Sequence, residues 1–597
     1  MFKLLKYLKQ YKKETVLGPL FKLMEASFEL LVPLVMASII DVGVENGDKG
    51  HIFSMGGVLF LLAAVGFGCA ITAQYFAAKA SVGFATGLRH AIFEHIQTRS
   101  YAQMDEFGTS TMINRLTSDV NQVQTGVNLT LRLLLRSPFI VFGAMIMAFT
   151  VDVKGALIFA VTIPILAVVV FTILLVNIPL YKKVQKALDK VVVKTRENLT
   201  GVRVVRAFSM EQDEVEEYDK SVDILKGFQL FAGRVSAFMN PVTFAIVNFA
   251  TLVLLYKGAV QVDTGLLTKG EVIALVNYMA QILVELIKLA NLIITITKSM
   301  AGGSRIADML YSDEETDKEK DVKSKDSGTE VNAQNDCKKQ EIPVPAIQEI
   351  AFENVSYTYR GAASPSISNL TFTAKKGDIV GVIGGTGSGK TSLINLLAGF
   401  YKAAEGRVLI NGEDITACRQ EDLRERIGIV PQTAVLFAGT IAENLQWGKK
   451  EATEEEMWEA LELAQAKEFV EEKPRQLQEK VLQRGKNFSG GQRQRLCMAR
   501  AFIRKPDILI LDDSTSALDY ATEAKVRQGV RKITEDAICF IVSQRAASIM
   551  DADLLIVLDE GEVAGMGKHE ELLKTCDVYA EIYYSQFPED REEAAHA

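Results

Sequence analysis

Residues 384–391 read GGTGSGKT, which fits the pattern GxxxxGK[ST]. The strand-like "DIVGVIG" precedes the run and the helix-like "SLINLLAG" follows it. In that setting Gly384, Gly385, Thr386, Gly387, Ser388 and Gly389 can turn backbone N–H groups toward phosphate oxygens, and the start of the following helix favours an anion. Lys390 is then placed to pair with the β- and γ-phosphates of a nucleotide, and Thr391 to hold Mg²⁺ through its hydroxyl. A second apolar run, "DILILDD", delivers Asp512 to its C-terminal end, where a carboxylate can reach the magnesium shell, and Asp513 follows directly. Between the two runs lies "NFSGGQRQRLCMARAF", in which Ser489, Gly490, Gly491 and Gln492 open a helix. A hydroxyl and free N–H groups at a helix start make a second anion site. A domain that already has a phosphate loop uses such a site on a second nucleotide. Two domains facing head to tail would sandwich two ATP molecules, each between one glycine loop and the other domain's Ser-Gly-Gly-Gln.

The elements that must position these residues fall into two regions. The chain has 597 residues, 48% hydrophobic, with a mean hydropathy of +0.14, too apolar for an ordinary soluble enzyme. The apolar residues crowd the first half. Six runs there, near 16–44, 52–80, 130–151, 155–181, 235–257 and 271–298, reach the roughly 20 residues a helix needs to cross a bilayer. The connections 81–129 and 182–234 are long, regular and rich in Lys and Arg, which places them and both chain ends in the cytoplasm. They read as spanning helices continued well beyond the membrane. Residues 1–14, "MFKLLKYLKQYKKE", alternate Lys with large apolar residues and suit an interfacial helix rather than a cleavable leader. Residues 15–311 then form the membrane domain. Residues 312–345 are charged and poor in apolar residues, a disordered linker, and 346–590 return to strand alternation and form the nucleotide-binding α/β domain. The net charge of −8 argues against nucleic acid as a partner. Six scattered cysteines without a CxxC pair argue against a metal or disulfide framework.

These motifs and their order resemble the ABC exporters: one half-transporter chain, an all-α membrane domain of six helices followed by an α/β P-loop ATPase domain. The resemblance covers nearly the whole chain apart from the linker. It implies that Tyr359, in "VSYTYR", stacks on adenine. It implies that Gln432 touches Mg²⁺ with Thr391 and Asp512, and that Asp519, in "SALD", contacts a partner domain. Phe488 and the Ser489–Gln492 segment would contact the nucleotide held by that partner. The stretches "FGTSTMINRLTSDVNQVQ" and "TRENLTGVRVVRAF" resemble intracellular loops whose tip helices couple the two halves. The cofactors implied are ATP and Mg²⁺, and the location a bacterial plasma membrane.

Two positions depart from the family. Hydrolytic members carry a glutamate, which polarises the attacking water, where this chain has Asp513, and a histidine where it has Gln544. Aspartate is one methylene shorter, and a misplacement of about 1 Å can cost about 10²-fold in rate. Glutamine cannot titrate. With the binding residues and Ser489 intact, the pattern resembles the degenerate-site subunit of heterodimeric bacterial multidrug exporters. Hydrophobic small molecules are the expected cargo, with lipid or peptide export, or a nucleotide-gated regulatory subunit, as alternatives. Polar residues recur on single faces of the spans: Asn277, Gln281, Glu285 and Lys288 in the last, Lys22, Glu25 and Glu29 in the first, Arg132 and Arg136 near the third. They read either as intramembrane ion pairs that fix packing or as groups lining a cavity that receives cationic amphiphiles.

Overall fold

The computed structural model describes residues 2–325 and 345–591. The chain divides into two compact units, and Ser100–Glu106 groups with the C-terminal one.

Six helices of the first unit are long and apolar enough to cross a membrane: Lys3–Val44, Lys49–Thr98, Thr109–Val151, Val153–Ala207, Glu211–Asp263 and Lys269–Tyr311. Each expected span lies inside one of them. Two of the short turns between these helices are closed by aspartates that cap the helix that follows. Asp48 accepts from the His51 amide at 3.1 Å and Asp152 from the Gly155 amide at 2.6 Å. Such caps satisfy N–H groups that lipid cannot. The fourth and fifth helices run on together and close through Phe208–Met210, with Ser209 at φ +55°. Lys194 bridges them through Glu214 at 3.2 Å and Glu217 at 2.7 Å. The stretch "TRENLTGVRVVRAF" is thus continuous helix to Ala207 with a tight turn, not a separate tip helix. The last helix continues to Lys325, past the expected linker start at Ser312; residues 326–344 of that linker lie outside the described residues.

The polar residues of the spans are largely consumed by one another. Arg136, 6% exposed, donates to Glu285 at 2.6 Å and to Glu29 at 2.6 Å. Glu285, 3% exposed, also accepts from Ser137 at 2.8 Å and Lys288 at 2.8 Å. Glu25 is bridged by Lys22 at 2.6 Å. Helices one, three and six are therefore joined by a buried network whose charges cancel. Asn277 is exposed and Gln281 keeps a buried Oε1 without a partner among the described residues. Glu25, Glu29 and Glu285 are not open acids awaiting a cation, because each already has one.

The second unit is a layered α/β domain. Its six-stranded sheet has the order Glu562–Gly567, Leu554–Asp559, Ile379–Gly384, Ile538–Val542, Ile508–Asp512, Ile427–Val430, parallel except at the first pair. The strands Ile508–Asp512 and Ile538–Val542 are buried along their whole length, as a parallel sheet covered on both faces requires. A four-stranded antiparallel sheet led by Glu349–Tyr357 and Ile367–Lys375 lies in the same unit.

Removing Arg136 takes the guanidinium from the buried Glu285, and breaking such a buried pair costs about 3–5 kcal/mol. Arg136→Met should lower the melting temperature of the detergent-solubilised protein markedly. Adding Glu29→Leu and Glu285→Leu should recover most of the loss, since a well-packed apolar replacement of a buried ion cluster is often neutral.

Candidate nucleotide site

The sheet register decides which residues meet. Val542 pairs with Asp512 on one side and with Val382 on the other, so two strands end level and the third runs two residues further, to Gly384. Their C-terminal ends carry the phosphate loop, the two aspartates and the Gln544 loop, and the neighbouring strand Ile427–Val430 leads to Gln432. The carboxyl ends of parallel strands are where open α/β sheets bind ligands. Backbone bonds continue the register beyond the strands: Asp513 N–H donates to the Val542 carbonyl at 2.9 Å, and Ser543 N–H to the Val382 carbonyl at 3.1 Å.

The loop Gly385–Gly389 needs its glycines. Gly387 and Gly389 stand at φ +86° and +100°, a region that other residues adopt at a cost, and a Cβ on Gly389 would lie 2.4 Å from the Ser366 carbonyl oxygen. Lys390 opens the helix Lys390–Leu397 and donates to the Gly384 and Gly385 carbonyls at 2.9 and 2.5 Å. Burial pushes its ammonium pKa down, against the pull of Asp513 and Asp512. Asp512, 8% exposed, has its pKa pushed up by burial first and by the Asp513 carboxylate second, with Lys390 opposing. Asp513 sits at φ +43° and its Oδ2 accepts from Gln432 Nε2 at 3.4 Å. The floor of the site is thus two adjacent carboxylates, one of them buried, against one ammonium. That excess of negative charge fits a divalent cation. Asp512, Thr391 and Gln432 would hold magnesium with few protein ligands, leaving its other positions to water and phosphate as that ion prefers.

The other expected residues are fixed within elements of their own. Tyr359 packs edge-on against Tyr357 at 4.9 Å and Tyr401 at 5.6 Å, and its hydroxyl accepts from Ser392 at 3.2 Å. Ser489 caps the helix Gly490–Phe502 in a reciprocal box: Gln492 N–H donates to Ser489 Oγ at 3.2 Å, and Ser489 N–H to Gln492 Oε1 at 3.0 Å. Asp519 caps the helix Tyr520–Thr534, accepting from the Thr522 N–H at 2.9 Å and the Thr522 hydroxyl at 2.8 Å. Those bonds hold its carboxyl pKa below the ordinary value, the backbone bond most of all.

Comparison with known proteins agrees with this geometry. Residues 15–286 match the model of the ABC transporter transmembrane region, and residues 367–516 that of the ABC transporter ATPase domain. YfiB of Bacillus subtilis, an ABC transporter ATP-binding protein, is 34% identical over 594 residues, 100% of each chain. The chain belongs to the ABC transporter family. YgaD of the same organism, whose name carries the words multidrug export ATP-binding/permease protein, is 28% identical over 98% of this chain and 99% of its own. The solved structure of a bacterial Atm1-family ABC exporter with ATP bound shares the fold, with a TM-score of 0.76 over 96% of this chain and 98% of that one, at 22% identity.

Of the residues expected from sequence, Lys390, Asp512, Asp513 and Gln432 come together at the strand ends and Tyr359 meets the helix after the phosphate loop through Ser392, whereas Ser489–Gln492 and Asp519 open helices of their own and Phe488 turns into the core. Phe488 is buried, stacked edge-on to Phe469 at 6.4 Å with Lys473 above its ring. It supports the Ser489 segment from beneath rather than facing a nucleotide, because its ring belongs to the apolar core. The first tip helix is Tyr101–Phe107, earlier than expected, bounded by extended Arg99 and by Gly108 at φ +69°. Within the second unit Tyr101 lies 4.2 Å from Phe400, and the Tyr401 hydroxyl donates to the Asp105 carboxylate. Tyr401 thereby touches both the tip segment and Tyr359, a link no sequence spacing announces. Gln494 is a second such residue: its Oε1 accepts from the Ala517 N–H at 3.2 Å and joins the Ser489 helix to the loop before Asp519.

The raised pKa of Asp512 gives a prediction with a definite sign. A carboxyl whose pKa is higher folded than unfolded stabilises the fold at low pH and costs stability once it ionises. At neutral pH Asp512→Asn should therefore raise the melting temperature of the nucleotide-free protein, while Mg²⁺-dependent ATP binding falls at least about tenfold, the worth of one charged contact. Lowering the pH should erase the stability difference. A melting curve at two pH values and a Mg²⁺ titration of nucleotide binding check both halves.

Proposed function

We propose that this half-transporter exports hydrophobic or amphiphilic small molecules as one half of a heterodimer, holding a slow ATP site on its own phosphate loop and lending an intact Ser489–Gln492 segment to the fast site of its partner. The observation that carries the reading is Asp513. Its backbone is left-handed at φ +43°, which aspartate tolerates better than longer residues, and its short carboxylate is engaged by Gln432. A glutamate there would reach one methylene further toward an attacking water. Gln544 removes the second proton-handling group beside it. When bound, magnesium neutralises phosphate charge and orients the leaving group. The chain's residues do the rest. Lys390 and the loop amides hold the phosphates, Tyr359 offers an aromatic face to the base, and Asp512, Thr391 and Gln432 fix the cation.

Two exposed apolar surfaces outside the spans support a second chain as partner. The turn of the fourth and fifth helices bares Val204, Phe208 and Met210, and the ATPase unit bares the stacked pair Phe437 and Trp447. Exposed apolar patches of this kind mark protein contacts. The name of YgaD supports multidrug cargo, and the neutralised network of Glu29, Arg136 and Glu285 supports cargo selected by apolar shape rather than by positive charge.

The test is ATP turnover by the purified full-length chain, alone, in proteoliposomes. The unmodified chain should hydrolyse slowly. Asp513→Glu with Gln544→His should raise the rate at least about tenfold, given that about 10²-fold hangs on the position of such a group. Brisk hydrolysis by the unmodified chain would sink the slow-site reading.

A further inference from the structure

The loop that follows the strand Ile538–Val542 carries Gln544 and is held from two sides. On one side Arg545 donates to the buried carboxylate of Glu523 at 3.0 Å and to the Ser516 carbonyl at 3.2 Å, and its guanidinium lies 5.4 Å from the centre of the Tyr520 ring. On the other side stands Gln586, the last residue of the helix Asp577–Gln586. Its Nε2 donates to the Gln544 carbonyl at 2.8 Å, and its Oε1 accepts from the Ala546 N–H at 2.9 Å. One side-chain amide thus serves the C=O of one residue and the N–H of the residue two further on, as the peptide groups of a neighbouring strand would.

The helix that supplies this clamp is itself anchored. Tyr579 is fully buried, with its hydroxyl 2.7 Å from His569 Nδ1. Tyr583 is also buried, and its hydroxyl donates to Asp590 at 2.6 Å. Gln586 therefore projects from a fixed element onto a loop that is also held by the half-exposed Arg545 on buried Glu523, by Arg527 on the Ala547 carbonyl at 2.8 Å and by its strand end. The Gln544 carbonyl is the one backbone atom of that residue that Gln586 grips.

We propose that Gln586 is a positioning residue of the nucleotide site: its amide fixes the backbone of Gln544 and Ala546, and so sets how Gln544 meets the terminal phosphate of ATP. The proposal rests on reading Gln544 as the switch residue, standing where hydrolytic family members carry a histidine beside the γ-phosphate, and is independent of how fast the site hydrolyses. ADP lacks the phosphate that the switch residue meets, so the consequence is selective. Loss of the clamp weakens binding of a nucleoside triphosphate and spares the diphosphate.

The experiment is equilibrium binding of Mg-AMP-PNP and Mg-ADP to the full-length, detergent-solubilised chain. Gln586→Leu should weaken AMP-PNP binding about tenfold, the worth of one hydrogen bond to a charged group. ADP binding should stay within about twofold, and the melting temperature should hold. Gln586→Glu keeps the acceptor for Ala546 but loses the donor to Gln544, and should fall between. In a Gln544→Ala background Gln586→Leu should add nothing, as coupled residues require. Unchanged AMP-PNP binding, an equal loss of both nucleotides, or an undiminished effect in the Gln544→Ala background would each overturn the proposal. The slow-site reading stands or falls on turnover, whereas this measurement uses a nucleotide that does not turn over, so either can fail alone.

Discussion

Negative charge held at the end of a buried parallel sheet is the constraint around which the ATPase unit is arranged. Asp512 cannot leave the sheet, because its own strand is covered on both faces and pairs in register with its neighbours. Its ionised form is costly there, and Asp513 beside it makes the cost higher. Lys390 answers only part of that charge, since its own ammonium is half-buried and disfavoured. A site in this condition suits a cation at the strand ends, where the glycine loop, the helix start behind it and the Gln432 amide would complete a phosphate cradle.

The membrane unit meets the same problem and resolves it without a ligand. Arg136 lies between Glu29 and Glu285, Lys288 and Ser137 complete the acceptors of Glu285, and the charges cancel within the helices that carry them. The carboxylates at these two places are therefore used in opposite ways. Asp512 and Asp513 stay short of cations, which suits the binding of a divalent ion. Those of the membrane unit are saturated, which suits fixed packing between helices one, three and six.

Much of this was legible in the sequence because it is written in contiguous runs. The six spans are long apolar stretches, and GGTGSGKT, SGGQ and ILILDD are local patterns whose chemistry follows from backbone geometry. The features that were not legible come from pairings between distant segments. Arg136 and Glu285 are 149 positions apart, and Tyr401 and Asp105 are 296 apart, so no periodicity in either neighbourhood reveals the contact. Phe488 illustrates the reverse case. Its neighbours Ser489 to Gln492 carry the motif, but the direction of one aromatic side chain depends on Phe469, which lies in another helix. The first tip helix was misplaced because its limits are set by the backbone at Arg99 and Gly108, not by a change in composition.

The two departures from the hydrolytic pattern, Asp513 and Gln544, are not independent in space. They follow adjacent strands, and Asp513 is bonded through its N–H to the strand that leads to Gln544. Glu523, buried beneath both loops, accepts from Thr515 at 3.3 Å on the first and from Arg545 and Ser548 on the second. A shift of either loop must therefore be shared with the other, or break hydrogen bonds to a buried carboxylate at a cost of about 1–3 kcal/mol. The same rigid pair of loops continues into Asp519, the cap of the next helix and the residue expected to face a partner. Glu523 and Gln494 thus tie the two loops and the Asp519 cap into one hydrogen-bonded frame, so that a displacement at the carboxyl ends of these strands must be shared by the start of the helix Tyr520–Thr534.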